Sequence, residues 1–379
     1  MNAAAEQARS APARPLAFDR EELRRVLDPL AVEDDRVDGA PVEALNYLVA
    51  CGATTAVLPA SFGGAEFGWS PRASLALSHL LRCLGGTHLS LARLYEGHVN
   101  AFQLIWTFGQ PHQRDALCRY VADGGWLGVW NAPHPDGPLQ LGIRGPGQYT
   151  LDGMKAYASG AGLIDRPLVT ARHDVLGERM VWPAAKYQAG GRHEWEMLGM
   201  RASITLPVRY QHAVVEREEI IGGDGDYHKE PMFTAGAWRF LAAQIGAGER
   251  LLEEMMHELT VAQRDGDPHQ RARVSDACVA VESSLLWLDR ARAAADSQGS
   301  ADEITHVVRM ARLAVERHLL DVIELVQRSI GLASFRRATL IERIARDLQT
   351  YLRQPAPDRV RDQVAAHALA KSCPTEVHP

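Results

Sequence analysis

Long hydrophobic runs are missing from this chain. No stretch approaches the roughly 20 consecutive apolar residues that a membrane-spanning helix needs, so no membrane insertion is expected. Cysteine is scarce. The five residues Cys51, Cys83, Cys118, Cys278 and Cys373 are odd in number and never spaced as Cys-x-x-Cys. That pattern argues against a disulfide framework and suits reduced thiols in a cytoplasm. Positive charge is not in excess. Lys and Arg total 41 against 47 Asp and Glu, a formal net charge of −6, so the broad basic footprint of a nucleic-acid binder is lacking. The stretch from Met1 to Leu16 is Ala-rich and carries no signal-peptide core, which leads us to expect a cytoplasmic protein. Several chemistries lack their motifs. Gly142-Ile143-Arg144-Gly145-Pro146-Gly147 has the wrong spacing for a dinucleotide loop, and no helix pattern follows it. There is no Walker A loop, no HExxH and no G-x-S-x-G elbow. The 15 histidines are dispersed, so no metal site is expected.

What is present is an ordinary globular composition, 46% hydrophobic and 23% charged over 379 residues, enough for two or three domains. Residues 1–17 and 371–379 read as disordered tails. Residues 18–124 read as a helical domain. Glu21–Leu30, Pro41–Val49, Ala73–Leu84 and Leu91–Phe108 have helical spacing, and Gly and Pro punctuate the joins. Residues 125–231 change character. Gln148–Leu151, Leu168–Arg172, Arg179–Trp182, Glu194–Leu198 and Val208–Val215 are short, β-branched and aromatic, and predict antiparallel strands in a small barrel or sandwich. Residues 232–370 return to long helices. Ile304, Val307, Val308, Ala311, Val315, Leu319, Val322 and Val326 form one apolar stripe. Arg312 with Glu316, and Arg317 with Asp321, are spaced as i,i+4 ion pairs off that stripe. Helices of this kind pack as a bundle.

Helical–β–helical order combines with five local strings. They are Gly52 to Pro59 running on to Phe62-Gly63-Gly64, Leu91 to His98 followed by Gly109 to Gln113, Gly153-Met154-Lys155-Ala156-Tyr157-Ala158-Ser159-Gly160, Gly199-Met200-Arg201-Ala202-Ser203, and Val326-Gln327 with Gly331 and then Arg346-Asp347. In this order and spacing the chain resembles the acyl-CoA dehydrogenase superfamily from about Leu23 to Leu369. The resemblance implies an N-terminal helical domain, a middle β-barrel and a C-terminal four-helix bundle. It implies a homo-oligomer, dimer or tetramer, and a flavin, FAD in the first instance with FMN as the alternative. Val129-Trp130-Asn131-Ala132 stands where the family has its "VTEP" strand, whose backbone borders the ring. Tyr157 matches the aromatic beside the ring, with Trp130 as a second ring wall, and Ser159 matches the hydroxyl that approaches N5. Arg264, Gln327 and Gly331 match parts of the strings that reach the diphosphate and adenine end. Arg264-Asp265-Gly266-Asp267 keeps the Arg of "RxxFG" and lacks its Phe-Gly.

The family's base is a carboxylate, because a buried Glu can remove an α-proton near neutral pH. By count, its usual position falls on Pro355, and the minority position lies near Trp238-Arg239. Neither is an acid. Asp358 is the nearest substitute, and it reads as a solvated residue after two prolines. The chain is therefore expected to be a divergent flavin-dependent oxidoreductase acting on a small molecule or an acyl thioester. The alternative is a monooxygenase that works with reduced flavin, Ser159, Asn131 and His98 being its candidate catalytic residues. A third reading is a non-catalytic flavin- or acyl-binding scaffold. A flavin reductase or an electron-transfer flavoprotein is the expected redox partner.

Overall fold

A computed structural model describes residues 18–36 and 39–370, so both expected tails lie outside the described residues. Five helices come first: α1 (Arg20–Asp34), α2 (Val42–Ala50), α3 (Ser74–Thr87), α4 (Leu89–Phe108) and α5 (Pro111–Ala122). Eight strands follow: β1 (Val129–Trp130), β2 (Gln140–Gly145), β3 (Gln148–Ala158), β4 (Leu168–His173), β5 (Gly177–Val181), β6 (Gln188–Ala189), β7 (Leu206–Glu216) and β8 (Ile220–Ile221). Six further helices complete the fold: α6 (Met232–Ala235), α7 (Ala237–Val261), α8 (Pro268–Asp296), α9 (Ala301–Ile330), α10 (Leu340–Tyr351) and α11 (Pro357–Ala370). Among the described residues no helix is long and apolar enough to cross a membrane.

The chain divides into two compact units. The first holds residues up to Leu80, Ser90–Met197 and Arg201–His228. The second holds Leu81–Leu89, Leu198–Met200 and the chain from Lys229 onward.

In the first unit the helices form where apolar residues recur every three to four positions. Asp19 caps α1 by accepting from the Glu22 amide at 2.8 Å, and Leu23, Leu27 and Ala31 bury one face. The strands make one sheet in the order β6-β7-β3-β2-β4-β5-β8, with β1 beside β4. The all-antiparallel expectation needs correcting, because β1 and β2 each run parallel to β4. The β2–β3 hairpin reverses the chain, so β4 returns in the direction of β1 and β2. The Gly142–Gly147 string is part of that hairpin, which accounts for its glycines without a phosphate loop. Glu194–Leu198 also needs correcting. The Glu194 carboxylate accepts from the Gly191 amide at 2.8 Å and folds Arg192–Trp195 into a 3₁₀ turn, a local bond that wins over pairing. Gln113, in the "G…Q" string, is 4% exposed and donates to Glu218 O at 2.7 Å and Ile220 O at 2.9 Å. One side-chain amide thus ties the start of α5 to the end of the sheet.

In the second unit α7, α8 and α9 pack on one another, α10 packs on α7 and α11 on α9. Ser300 and Glu303 form a capping box at the start of α9, and Asp267 with Pro268 starts α8. The predicted stripe is the buried face of α9, from Ile304 through Val308, Ala311, Val315, Leu319 and Val322 to Val326, except that Val307 is only half-buried. Arg317 pairs with Asp321 at 2.9 Å as expected. Glu316 instead pairs with Arg353 at 3.2 Å, and Arg312 donates to Pro355 O at 3.1 Å. The "RD" string is a clamp. Asp347 Oδ1 accepts from Met200 N at 2.7 Å and Arg346 donates to Leu198 O at 2.7 Å. Gly199 lies between those two bonds, and a Cβ there would run into the Arg346 carbonyl.

Candidate functional site

Within the first unit the structure brings Val129, Trp130, Asn131, Tyr157 and Ser159 together. β1 lies against β4, with Trp130 opposite Val169. The Ala156 amide donates to Ala132 O at 3.1 Å, and the Trp130 indole N–H donates to Ser159 O at 2.9 Å. The two strings that the resemblance singled out are therefore hydrogen-bonded to each other.

Tyr157 sits in a bulge between Lys155 and Ala158 with φ +51°. This left-handed conformation is costly for a non-glycine residue, roughly 1 kcal/mol or more. It leaves the Tyr157 ring 68% exposed. Trp130 is the opposite case. Its indole is 1% exposed and meets the Tyr187 ring edge-on at 4.8 Å. The expectation of a ring wall from Trp130 is corrected on that ground: the indole is covered by its own chain and supports the strand from behind. Tyr157 is the aromatic with a free face.

Ser159 ends a short relay. Thr205 Oγ1 donates to Ser159 Oγ at 3.0 Å, and Ser203 Oγ lies 2.8 Å from Thr205 Oγ1. Ser203 closes the "GxRxS" string, so that string reaches Ser159 through Thr205. Ser159 is half-buried while Ser203 and Thr205 are buried, so the relay has one open end. Gly160 turns the chain at φ +77° and donates to Ser203 O at 2.8 Å, and a Cβ there would press on Ile164.

Asn131 is held at two atoms. Lys155 Nζ donates to Asn131 O at 2.9 Å and to Thr170 Oγ1 at 2.8 Å. Thr170 Oγ1 donates to Asn131 Oδ1 at 2.6 Å. Lys155 is 3% exposed, and burial pushes its pKa down to about 8. Sequence reasoning missed Lys155, Thr170 and Thr205 as parts of the site. A lysine on a strand with apolar neighbours was the signal available for the first.

His98 has no open ring nitrogen. It is fully buried, Nδ1 accepts from the Leu127 amide at 3.1 Å, and Nε2 lies 2.9 Å from Thr54 O. The accepting Nδ1 fixes the tautomer, so Nε2–H is the donor to Thr54 O. Burial drags its pKa down to about 4. As a candidate catalytic residue His98 is corrected: it is a neutral strut that joins α4 to the chain entering β1, through two occupied nitrogens.

In the second unit Arg264, Gln327 and Gly331 converge at the end of α9. Arg264 donates to Ser329 O at 3.2 Å. The Gln270 side-chain oxygen accepts from Arg264 and from Arg273, and its nitrogen donates to Ser329 Oγ at 3.0 Å. Gly331 ends the helix at φ +72° and its amide donates to Gln327 O. Asp267 accepts from the amides of His269 and Gln270 and so fills the start of α8 with its own carboxylate.

The base positions hold no acid. Pro355 is exposed in the link between α10 and α11, and its carbonyl is taken by Arg312. Asp358 is exposed in the first turn of α11. Trp238 and Arg239 are 3% and 4% exposed. Among the described residues no carboxylate is hydrogen-bonded to Asn131, Tyr157 or Ser159.

No protein-family model matches the chain. It is 25% identical over 370 residues to cyclohex-1-ene-1-carbonyl-CoA dehydrogenase of Geobacter metallireducens, covering 92% of this chain and 95% of that one. It is 23% identical over 350 residues to the amino sugar nitrososynthase DnmZ of Streptomyces peucetius, covering 86% of each. The fold matches the FMN-bound dibenzothiophene monooxygenase TdsC of Paenibacillus sp. A11-2 with a TM-score of 0.82 and 20% identity, covering 94% of this chain and 97% of that one. Relatives along nearly the whole chain and solved structures of the same fold are acyl-CoA dehydrogenase-like, and they support the acyl-CoA dehydrogenase superfamily for this chain.

Proposed function

We propose that this protein is a flavin-dependent oxidoreductase of the oxygen-transferring kind, a monooxygenase rather than an acyl-CoA dehydrogenase. The single observation that carries this reading is a retained polar and aromatic cluster in the first unit, in a chain whose expected base positions hold no acid. Asn131, Tyr157 and Ser159 keep open polar or aromatic groups, while Pro355 and Trp238-Arg239 stand where a carboxylate is needed for α-proton removal. Losing a general base costs roughly 10²–10⁴-fold in rate. Oxygen transfer from reduced flavin has no such requirement. The similarity to a nitrososynthase and to the fold of a sulfur-heterocycle monooxygenase supports the same direction.

The residues fit the cofactor. A flavin ring needs an apolar face and a few placed hydrogen-bonding groups at its edge. Tyr157 offers the face, and the open hydroxyl of Ser159 and the free amide hydrogens of Asn131 offer the edge. When bound, the flavin supplies the electrons and the site of oxygen activation. Ser159 holds its hydroxyl at the open end of the Ser203–Thr205 relay, ready to bond a ring or substrate atom. The buried Trp130 and Ile164 behind the cluster keep water from that side. FMN is the cofactor we assign, because the "RxxFG" string has become Arg264-Asp265-Gly266-Asp267 and its acids oppose a second phosphate. A separate flavin reductase supplies the reduced cofactor, and the protein works as a cytoplasmic homo-oligomer on a small-molecule substrate.

The dehydrogenase reading rests on the 370-residue match to a CoA-ester dehydrogenase. The deciding experiment supplies reduced FMN from a generic reductase under ¹⁸O₂ and screens amines, amino sugars and sulfur heterocycles by mass. Label in a product is the expected result. No label from any class, with acyl-CoA oxidised instead, would overturn the proposal.

A further inference from the structure

Resting on that placement of the ring, the hydrogen-bond order around Asn131 carries a further step. An ammonium group has donors only, so Lys155 can only donate to Thr170 Oγ1, at 2.8 Å. Burial lowers the Lys155 pKa to about 8, which still leaves it protonated at neutral pH. A hydroxyl that accepts from Lys155 has its proton free for the next partner, Asn131 Oδ1 at 2.6 Å. An amide whose oxygen is held this way cannot turn over without giving up the bond. Its nitrogen has no partner among the described residues and is not among the buried orphaned atoms. The second Lys155 bond, to Asn131 O, pins the backbone of the same residue. The charged group that acts on Lys155 is Glu178 on β5, and the atoms bonded to Lys155 belong to uncharged residues.

We infer that Lys155 and Thr170 are positioning residues that set Asn131 as a dedicated hydrogen-bond donor, with both Nδ2 hydrogens offered to an acceptor atom of the flavin edge or of the substrate. Asn131 is thereby a specificity-determining residue. It favours a ring carbonyl or a substrate oxygen or nitrogen lone pair at that point, and it disfavours a protonated group. An Asp in its place would present acceptors only and would pair with the buried Lys155.

The test uses the sparse asparagine content. The chain has four asparagines, Asn2, Asn46, Asn100 and Asn131, so ¹⁵N-asparagine labelling gives four side-chain amide pairs. Loss of one pair in Asn131→Asp assigns it. In the cofactor-free protein the Asn131 pair should exchange quickly with water, and adding FMN or a turnover substrate should shift it. Thr170→Val removes the hydroxyl at nearly constant volume and Thr170→Ser restores it. FMN affinity should fall by about tenfold in Thr170→Val and recover to within about twofold in Thr170→Ser, the worth of one hydrogen bond. A shift with FMN places the acceptor on the ring. A shift only with substrate, with FMN affinity unchanged and KM raised about tenfold, places it there. An Asn131 pair protected in the free protein, or unmoved by both, would overturn the inference, as would Thr170→Val matching the parent in FMN affinity and KM alike. A parent protein that takes up neither FMN nor FAD would instead sink the functional reading on which the inference rests.

Discussion

The Asn131–Ser159 cluster of the first unit and the α10–α11 link of the second dispose of their polar groups in opposite ways. Around Asn131 and Ser159 buried polar groups are bonded in order, Lys155 to Thr170 to Asn131 and Ser203 to Thr205 to Ser159, and each series stops at an open group. In the α10–α11 link the polar groups close on the chain itself. Arg312 takes the Pro355 carbonyl and Arg353 takes Glu316. A site meant to receive a ligand keeps unused donors at its rim, because satisfied groups have nothing to offer. By that criterion the first region offers open groups to a partner, and the second presents no carboxylate at the base positions that the resemblance implied.

The largest expected effect on that contrast comes from His98. Replacing it with Leu orphans the Leu127 amide and the Thr54 carbonyl inside the core, which should cost about 2–4 kcal/mol in chemical denaturation and take flavin uptake with it. A change below about 0.5 kcal/mol would show that His98 is not the strut described.

Ser159→Ala comes next. Turnover should drop about tenfold or more while the melting temperature holds, because a half-exposed hydroxyl is lost at an open rim. Unchanged turnover would remove Ser159 from the site.

pH sharpens the contrast from another side. The folded protein holds His98 neutral, its pKa lowered by burial from 6.5 to about 4. The unfolded chain binds that proton first, so this contribution is complete above pH 6.5 and is lost as pH falls toward 4, by about 3 kcal/mol at most. Urea midpoints measured across that window should decline in the parent and decline less in His98→Gln.

The smallest effect belongs to the α10–α11 link. Arg353→Ala removes an exposed pair with Glu316 and should change stability by about 0.5 kcal/mol or less, with turnover intact. A large loss of turnover there would mean that the link still takes part in chemistry.

Much of this was legible in the sequence. Helix positions followed from spacing, as α9 shows along its buried face, and the order of helical and β segments followed from the change of pattern near Gly125. Strand direction was not legible, because local alternation does not say which strand lies beside which, and β4 found parallel neighbours. Glu194–Leu198 failed because a side-chain bond to Gly191 outcompeted pairing. The motif register picked out Asn131, Tyr157 and Ser159, whose strands the fold hydrogen-bonds to each other. It could not tell that the Trp130 ring was spent on packing or that both His98 nitrogens were occupied, since burial and bonding partners come from distant segments. Thr170 and Thr205 carried no local signal at all; each matters only through the side chain it meets.

The most direct measurement is an anaerobic titration of the flavin-loaded protein with butyryl-CoA and octanoyl-CoA, followed by absorbance. The account predicts a flavin spectrum that no thioester bleaches, while NADH with a flavin reductase reduces the same sample. Prompt bleaching by either thioester would contradict it, and would mean that a carboxylate base operates in this chain.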